Sequence, residues 1–129
     1  TDFTTYTQPI RLELSEDFRC FQDASILRKV IFNGLSNALK FSQKEVVLRV
    51  LRRDEVVELC IVDQGIGISE EDQKHLFERF FRGGNATVIQ GTGLGLHLVD
   101  RYMRLLGGKV QIKSELNKGT ALLIQFPLN

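Results

Sequence analysis

Asn33, Asn37 and Lys40 stand at i, i+4 and i+7 of the segment NGLSNALKFS (33–42). The segment reads as an amphipathic helix, and at 100° per residue the three side chains fall within about 60° of arc, one polar stripe. Two amides and an ammonium on one stripe offer oxygen ligands to a hard metal ion and a cation to a phosphate. The wet face of an ordinary helix has the same composition, and these three residues alone do not separate the two readings.

Two glycine-rich stretches follow in order. DQGIGI (63–68) comes directly after the apolar run VVELCIV (56–62), so Asp63 closes a strand beside a turn. Its ionised carboxylate is an acceptor that could hold an exocyclic amine such as that of adenine. Gly65 and Gly67 permit backbone geometry that side chains block, or the close approach of a flat ligand. Taken alone, Asp-x-Gly is better accounted for by a simple acidic turn after a strand. GTGLGL (91–96) sits where a helix begins, and free N–H groups at the positive end of a helix dipole suit phosphate. Three familiar signatures fail against it. A Walker A loop requires Gly-Lys-Ser/Thr where the chain has Gly108-Lys109-Val110, and the dinucleotide fingerprint requires a third glycine where Leu96 stands. The VAIK-type, HRD and DFG sequences of protein kinases are absent.

The elements that must hold these groups are legible from pattern. Pro9–Leu14 and Phe18–Phe21 read as short strands. Asp23 is an N-cap for a helix from Ala24 to about Phe41, with Leu27, Ile31, Leu35, Ala38 and Leu39 on its buried face. Val46–Leu51 and Val56–Val62 read as paired strands joined through Arg52-Arg53-Asp54-Glu55. Ser69, with Asp72 three residues on, starts a second helix running into LFERFFR (76–82). Gly83–Thr92 has no periodicity and reads as a mobile loop. A third helix from about Gly93 to Leu106 ends at Gly107-Gly108, and Lys109–Leu116 and Thr120–Phe126 form a last hairpin across Asn117-Lys118-Gly119. Strands and helices do not alternate βαβα, so the expected fold class is α+β, a two-layer sandwich of one mixed sheet with helices on one face.

Composition narrows the classes. The 129 residues are 43% hydrophobic and carry a net charge of +1, which suits one globular domain and gives no support for nucleic-acid binding. No apolar run approaches the roughly 20 residues of a membrane helix, and no signal peptide is visible. The start at Thr1 hints at a fragment or processed product. Cys20 and Cys60 lie in apolar segments with no CxxC pair, which points to buried thiols in a reducing cytosol.

Together and in order, the motifs resemble the boxes of one family. NGLSNALKFS is similar to the N box, DQGIGI to the G1 box, LFERFFR to the F box and GTGLGL to the G2 box of sensor histidine kinases, and KGTALLIQF (118–126) to that domain's last glycine-threonine element. The resemblance spans residues 23 to 126. It implies the ATP-binding catalytic domain of a two-component kinase, in the superfamily of gyrase, Hsp90, histidine kinases and MutL. The implied architecture is a Bergerat-type sandwich, with about five mostly antiparallel strands and three helices on one face. Residues 1–22 supply N-terminal strands, and 83–92 the ATP lid.

The resemblance also implies roles. Asn37 would ligate Mg²⁺ through its side-chain oxygen, Asn33 would support metal, water or phosphate, and Lys40 would neutralise phosphate charge. Phe41 would lie against the base. Asp63 would accept the adenine amine, with Gly65, Gly67 and Ile68 around it and Thr120 alongside. Gly91, Thr92, Gly93, Leu94, Gly95 and Leu96 would end the lid and cradle phosphates. Arg79 and Arg82 would reach the γ-phosphate or a partner helix, and Phe80 would line the nucleotide, although core packing explains Phe77, Phe80 and Phe81 as well.

His75 and His97 lack the acidic, arginine-rich context of the family's phosphoacceptor. The acceptor is therefore expected on a separate dimerising helical hairpin, with a response regulator downstream. The fragment would be a monomer, the full kinase a homodimer, and the domain cytoplasmic without direct membrane contact. Gyrase- and Hsp90-type ATPases, and serine kinases of the superfamily, carry a glutamate where Asn33 stands. An amide is a poor general base, which favours phosphotransfer over hydrolysis. A non-catalytic nucleotide sensor or interaction module is the remaining alternative.

Overall fold

A computed structural model describes residues 9–14, 22–42, 44–75, 77 and 95–128. The expected strand Phe18–Phe21, Cys20, the lid and most of LFERFFR lie outside these residues.

Helix α1 (Ala24–Phe41) begins where Asp23 adopts an extended backbone and its Oδ1 accepts the amides of Ser25 at 2.8 Å and Ile26 at 3.2 Å. Those bonds satisfy two of the donors that a helix start leaves open. Its most buried residue is Val30, followed by Leu39, Ala38 and Leu35, with Leu27 and Ile31 partly buried at the flanks. The expected stripe omitted Val30. The buried arc is wider than one stripe because α1 packs against both the sheet and its neighbour in the helical layer, α3 (Gly95–Leu105).

Five strands form one mixed sheet in the order β1-β2-β3-β5-β4. These are β1 (Ile10–Leu14), β2 (Val46–Arg53), β3 (Val56–Asp63), β4 (Lys109–Glu115) and β5 (Gly119–Pro127). β1 and β2 are parallel, so α1 serves as their crossover, and the remaining pairs are antiparallel. Alternation assigns the faces. Val57, Leu59 and Ile61 of β3 and Leu122, Ile124 and Phe126 of β5 are buried, and they pack with Leu96, Val99 and Met103 of α3. The α+β sandwich holds as expected.

The local differences have local causes. β2 and β3 run on to Arg53 and from Val56, which shrinks the four-residue connection to Asp54-Glu55, with Asp54 at φ 54°. β3 includes Asp63 itself, because that residue still pairs with Thr120. The helix started by Ser69, whose hydroxyl accepts Asp72 N–H at 3.1 Å, covers only Glu70–Gln73 (α2) and buries no side chain. α1 and α3 thus carry the helical layer. α3 ends as predicted at Gly107-Gly108. Gly107 has φ 75°, its amide donates to the Arg104 carbonyl, and the Gly108 amide donates to that of Met103 at 2.8 Å, the paired bonds of a Schellman cap. Among the described residues no helix is long and apolar enough to cross a membrane.

Candidate functional site

Register places Asp63 of β3, Thr120 of β5 and Ser114 of β4 in one row across three strands. The row lies on the helix-facing side, next to the apolar row Ile61, Leu122 and Ile112. Asp63 is 6% exposed. Its Oδ1 accepts the Gly65 amide at 2.8 Å. Burial pushes the carboxyl above its ordinary range, while hydrogen bonds from the Gly65 and Thr120 amides pull it down. Two amide donors leave about two of a carboxylate's roughly four lone-pair sites unclaimed.

Ser114 joins this row to the loop that follows Asp63. Its Oγ accepts the Ile68 amide at 2.8 Å, donates to the Gly119 carbonyl at 2.9 Å and lies 2.7 Å from Thr120 Oγ1. Gln73 on α2 donates to the carbonyls of Ile68 (2.7 Å) and Ser114 (3.0 Å), and the Asn117 amide donates to Ile66 at 2.8 Å. The G1-type loop is therefore zipped along the β4–β5 hairpin. Two glycines allow this. A Cβ on Gly67 (φ 73°) would meet the Glu115 carbonyl oxygen at 2.1 Å, and one on Gly119 (φ 122°) the Asp63 carbonyl oxygen at 2.2 Å. The close approach at Gly67 is thus to the chain's own backbone. Gly65 supplies the amide held by Asp63.

A Cβ on Gly34 would stand 2.5 Å from Ile61 Cδ1, so α1 lies directly over β3 near its end. At the other end, Gln22 Nε2 donates to the Pro127 carbonyl at 2.8 Å, and Pro127 pairs with Val56. The helix therefore runs alongside β3 in the same direction. Asn33 and Asn37, on either side of Gly34, lie at the Asp63 end. Asn33, Asn37 and Lys40 are all partly buried, unlike Arg28 and Lys29 one turn earlier. Asn33 Nδ2 donates to the Lys29 carbonyl at 2.7 Å, a bond in which its Oδ1 takes no part.

Leu96 is buried in the core, so its contribution is packing beneath the start of α3, which Gly95 opens. Phe41 ends α1, and its side chain lies outside the described residues, as do Arg79, Arg82, Phe80, Gly91, Thr92, Gly93 and Leu94. His97 Nδ1 pairs with the Phe77 carbonyl at 3.2 Å, which requires its proton there, and His75 is half-buried. Cys60 is a half-buried thiol pushed up by burial. A surface concavity of about 470 Å³ sits at the far end of the sheet, around Arg53, Glu58, Lys109 and Gln125, away from Asp63.

The described residues hold no group of three or more His, Cys, Asp or Glu side chains able to bind a metal. The oxygens at the Asp63 end of α1 are neutral amides. Such a donor set fits Mg²⁺, which is commonly carried by one or two protein ligands together with substrate phosphates.

A two-layer α+β sandwich with a buried strand-end carboxylate and a bordering amide stripe defines a nucleotide-binding class. Residues 22–129 match the family described as "Histidine kinase-, DNA gyrase B-, and HSP90-like ATPase". The chain belongs to that family, as the catalytic ATP-binding domain of a sensor histidine kinase. It is 36% identical over 93% of its length to the histidine protein kinase DivJ of Caulobacter vibrioides, of which it covers 20%. To the sensor histidine kinase AruS of Pseudomonas aeruginosa it is 39% identical over 79% of its length, covering 11% of that protein. Among solved structures it resembles the mycobacterial sensor histidine kinase MprB (TM-score 0.74, 32% identity, 92% of this chain and 81% of that one). It also resembles full-length ShkA in complex with AMPPNP (TM-score 0.81, 28% identity, 92% of this chain and 25% of that one). The chain thus spans about a fifth or less of the curated relatives it matches.

Proposed function

We propose that this domain binds ATP with Mg²⁺ and transfers the γ-phosphoryl group to a histidine on a separate dimerising helical domain of the same kinase, for relay to a response regulator. The observation that carries the reading is the Asp63 carboxylate, buried yet with acceptor capacity to spare, at the end of the sandwich that α1's amide stripe borders. Asp63 accepts the adenine amine. Asn37 and Asn33 offer oxygens toward the phosphates, and Lys40 neutralises charge there. Asn37 would be the residue to hold Mg²⁺, which would supply further charge neutralisation there. Arg79 and Arg82 are assigned to the γ-phosphate or the partner helix, and residues 83–92 to the lid, on the family resemblance alone, since all of them lie outside the described residues. Catalysis is then mainly positioning and electrostatics. The bond from the γ-phosphorus to its bridging oxygen breaks, and one to an imidazole nitrogen of the acceptor forms. Asn33, tied through its NH₂ to Lys29, has no carboxylate with which to activate water.

The setting consistent with this chemistry is cytoplasmic, where ATP is available, with the isolated domain monomeric and the whole kinase dimeric. The test mixes the purified domain with γ-labelled ATP and a separately made phosphoacceptor hairpin. Acid-labile, base-stable label on the hairpin is the expected result. Rapid phosphate release without any acceptor would instead assign an ATPase, and tight binding with no transfer a sensor module.

A further inference from the structure

We infer that Ser114 is a positioning residue for base recognition, committing the Thr120 hydroxyl as an acceptor beside Asp63. The inference rests on the adenine-nucleotide reading above. Ser114, Thr120 and Asp63 share one row on the helix-facing side of the sheet, by register. A serine hydroxyl has one proton and two lone pairs. Ser114 spends its proton on the Gly119 carbonyl at 2.9 Å and one lone pair on the Ile68 amide at 2.8 Å. Either hydroxyl could donate across the 2.7 Å contact between Ser114 and Thr120, but the Gly119 carbonyl can only accept, so the one assignment that makes all three contacts hydrogen bonds has Thr120 Oγ1 donating to Ser114. With its proton turned toward β4, Thr120 is left with lone pairs only for anything beside Asp63.

The row therefore offers a base two acceptors, a carboxylate and a hydroxyl oxygen, and no side-chain donor. That pattern selects a ring bearing an exocyclic amine, directly or through one water, and disfavours a ring with a carbonyl at the same position. Ser114 itself has no hydrogen-bonding capacity left for ligand, so its influence passes through Thr120 and through the Ile68 amide that anchors the loop.

The experiment measures Kd for ADP and for inosine diphosphate, which has a carbonyl in place of the amine. The proteins are the unaltered chain, Ser114→Ala, Ser114→Thr, Thr120→Val and the Ser114→Ala/Thr120→Val double variant. The expected loss in the ADP-over-inosine preference is roughly three- to tenfold for Ser114→Ala, the span of one hydrogen bond's net worth. Ser114→Thr, which keeps the hydroxyl, restores it, and Ser114→Ala adds nothing to the preference once Thr120 is Val. Equal weakening of both ligands by Ser114→Ala, or no change in either, overturns the inference and leaves Ser114 a structural residue. Should Ser114→Ala not fold, Thr120→Val decides alone: an unchanged preference overturns the inference. An unaltered chain that binds both diphosphates equally refutes the adenine reading itself, a result distinct from any of these.

Discussion

Replacing Asp63 by Asn alters one group and separates two energies that usually move together. In the native row the carboxylate accepts the Gly65 amide at 2.8 Å and the Thr120 amide, and its remaining lone pairs face the proposed amine. An asparagine has one acceptor oxygen and two donor hydrogens. Whichever way the amide turns, its NH₂ confronts either a backbone N–H or the incoming amine. Losing a hydrogen bond to a charged group and leaving a donor unpaired together cost about 2–4 kcal/mol, roughly 30- to 900-fold in Kd.

Ligand-free stability should move the other way. Burial, the largest influence on Asp63, raises its pKa, so the fold prefers the neutral side chain. A group raised in the folded state contributes stability that is present below its unfolded pKa and is lost as pH rises through its folded one. Near pH 7 the neutral amide should therefore melt at the same temperature as the native chain or higher. The gap between the two should close as pH falls toward the ordinary aspartate value of 3.8. Calorimetric titration with ADP and melting curves from pH 4 to 8 test both halves. Unchanged affinity would remove Asp63 from the site, and a destabilised apo variant at pH 7 would refute the burial argument.

Three further outcomes are expected. Gly67→Ala forces a left-handed residue, about 1–2 kcal/mol, and also drives a Cβ into the Glu115 carbonyl, whereas at Gly107 the nearest atom is Pro127 Cγ at 3.9 Å. Gly67→Ala should thus lower Tm more than Gly107→Ala and weaken nucleotide binding alone of the two, and equal effects would refute the zipped-loop account. Asn37→Ala should reduce affinity for ATP with Mg²⁺ but not for ATP in chelator, and the nucleotide-free chain should show no saturable Mg²⁺ binding by calorimetry. Asn33→Glu introduces a carboxylate beside the phosphates and should raise phosphate release to water by up to about 100-fold, so an unaltered rate would sink the amide argument.

The elements were legible because their signals are local. Asp23 caps α1 by accepting the amides two and three positions on, and the glycines at 107 and 108 close α3 onto carbonyls three and five positions back. Asp63 is legible only in company, because DQGIGI stands between NGLSNALKFS and GTGLGL in the order of one family's boxes. Ser114 and Gln73 are not legible, since their partners lie 46 and 41 positions away and a serine in a strand carries no signal of its own. Only the strand order brings them to the G1-type loop. Val30 was missed for the same reason: one helix seen alone predicts one apolar stripe, and the second helix that widens it lies far down the chain. The sequence marks Gly67 for special backbone geometry or the approach of a ligand; the structure shows the first, at φ 73°, with the demand coming from the Glu115 carbonyl, which no reading of residues 63–68 could supply.

The strand order has a consequence for how the domain comes into being. β5, last of the described strands to be synthesised, lies between β3 and β4, and it supplies Thr120 together with three core residues. The pairing of β3 with β5 joins groups such as Glu58 and Gln125, 67 positions apart, a loop whose closure alone costs about 4 kcal/mol of chain entropy. A nascent chain ending before Gly119 would have the β5-facing edge of β3, with Asp63, unpartnered and would lack Leu122, Ile124, Phe126 and Leu128 of the core. Nucleotide recognition is thus withheld until translation has passed β5, and no product truncated before Gly119 should retain it.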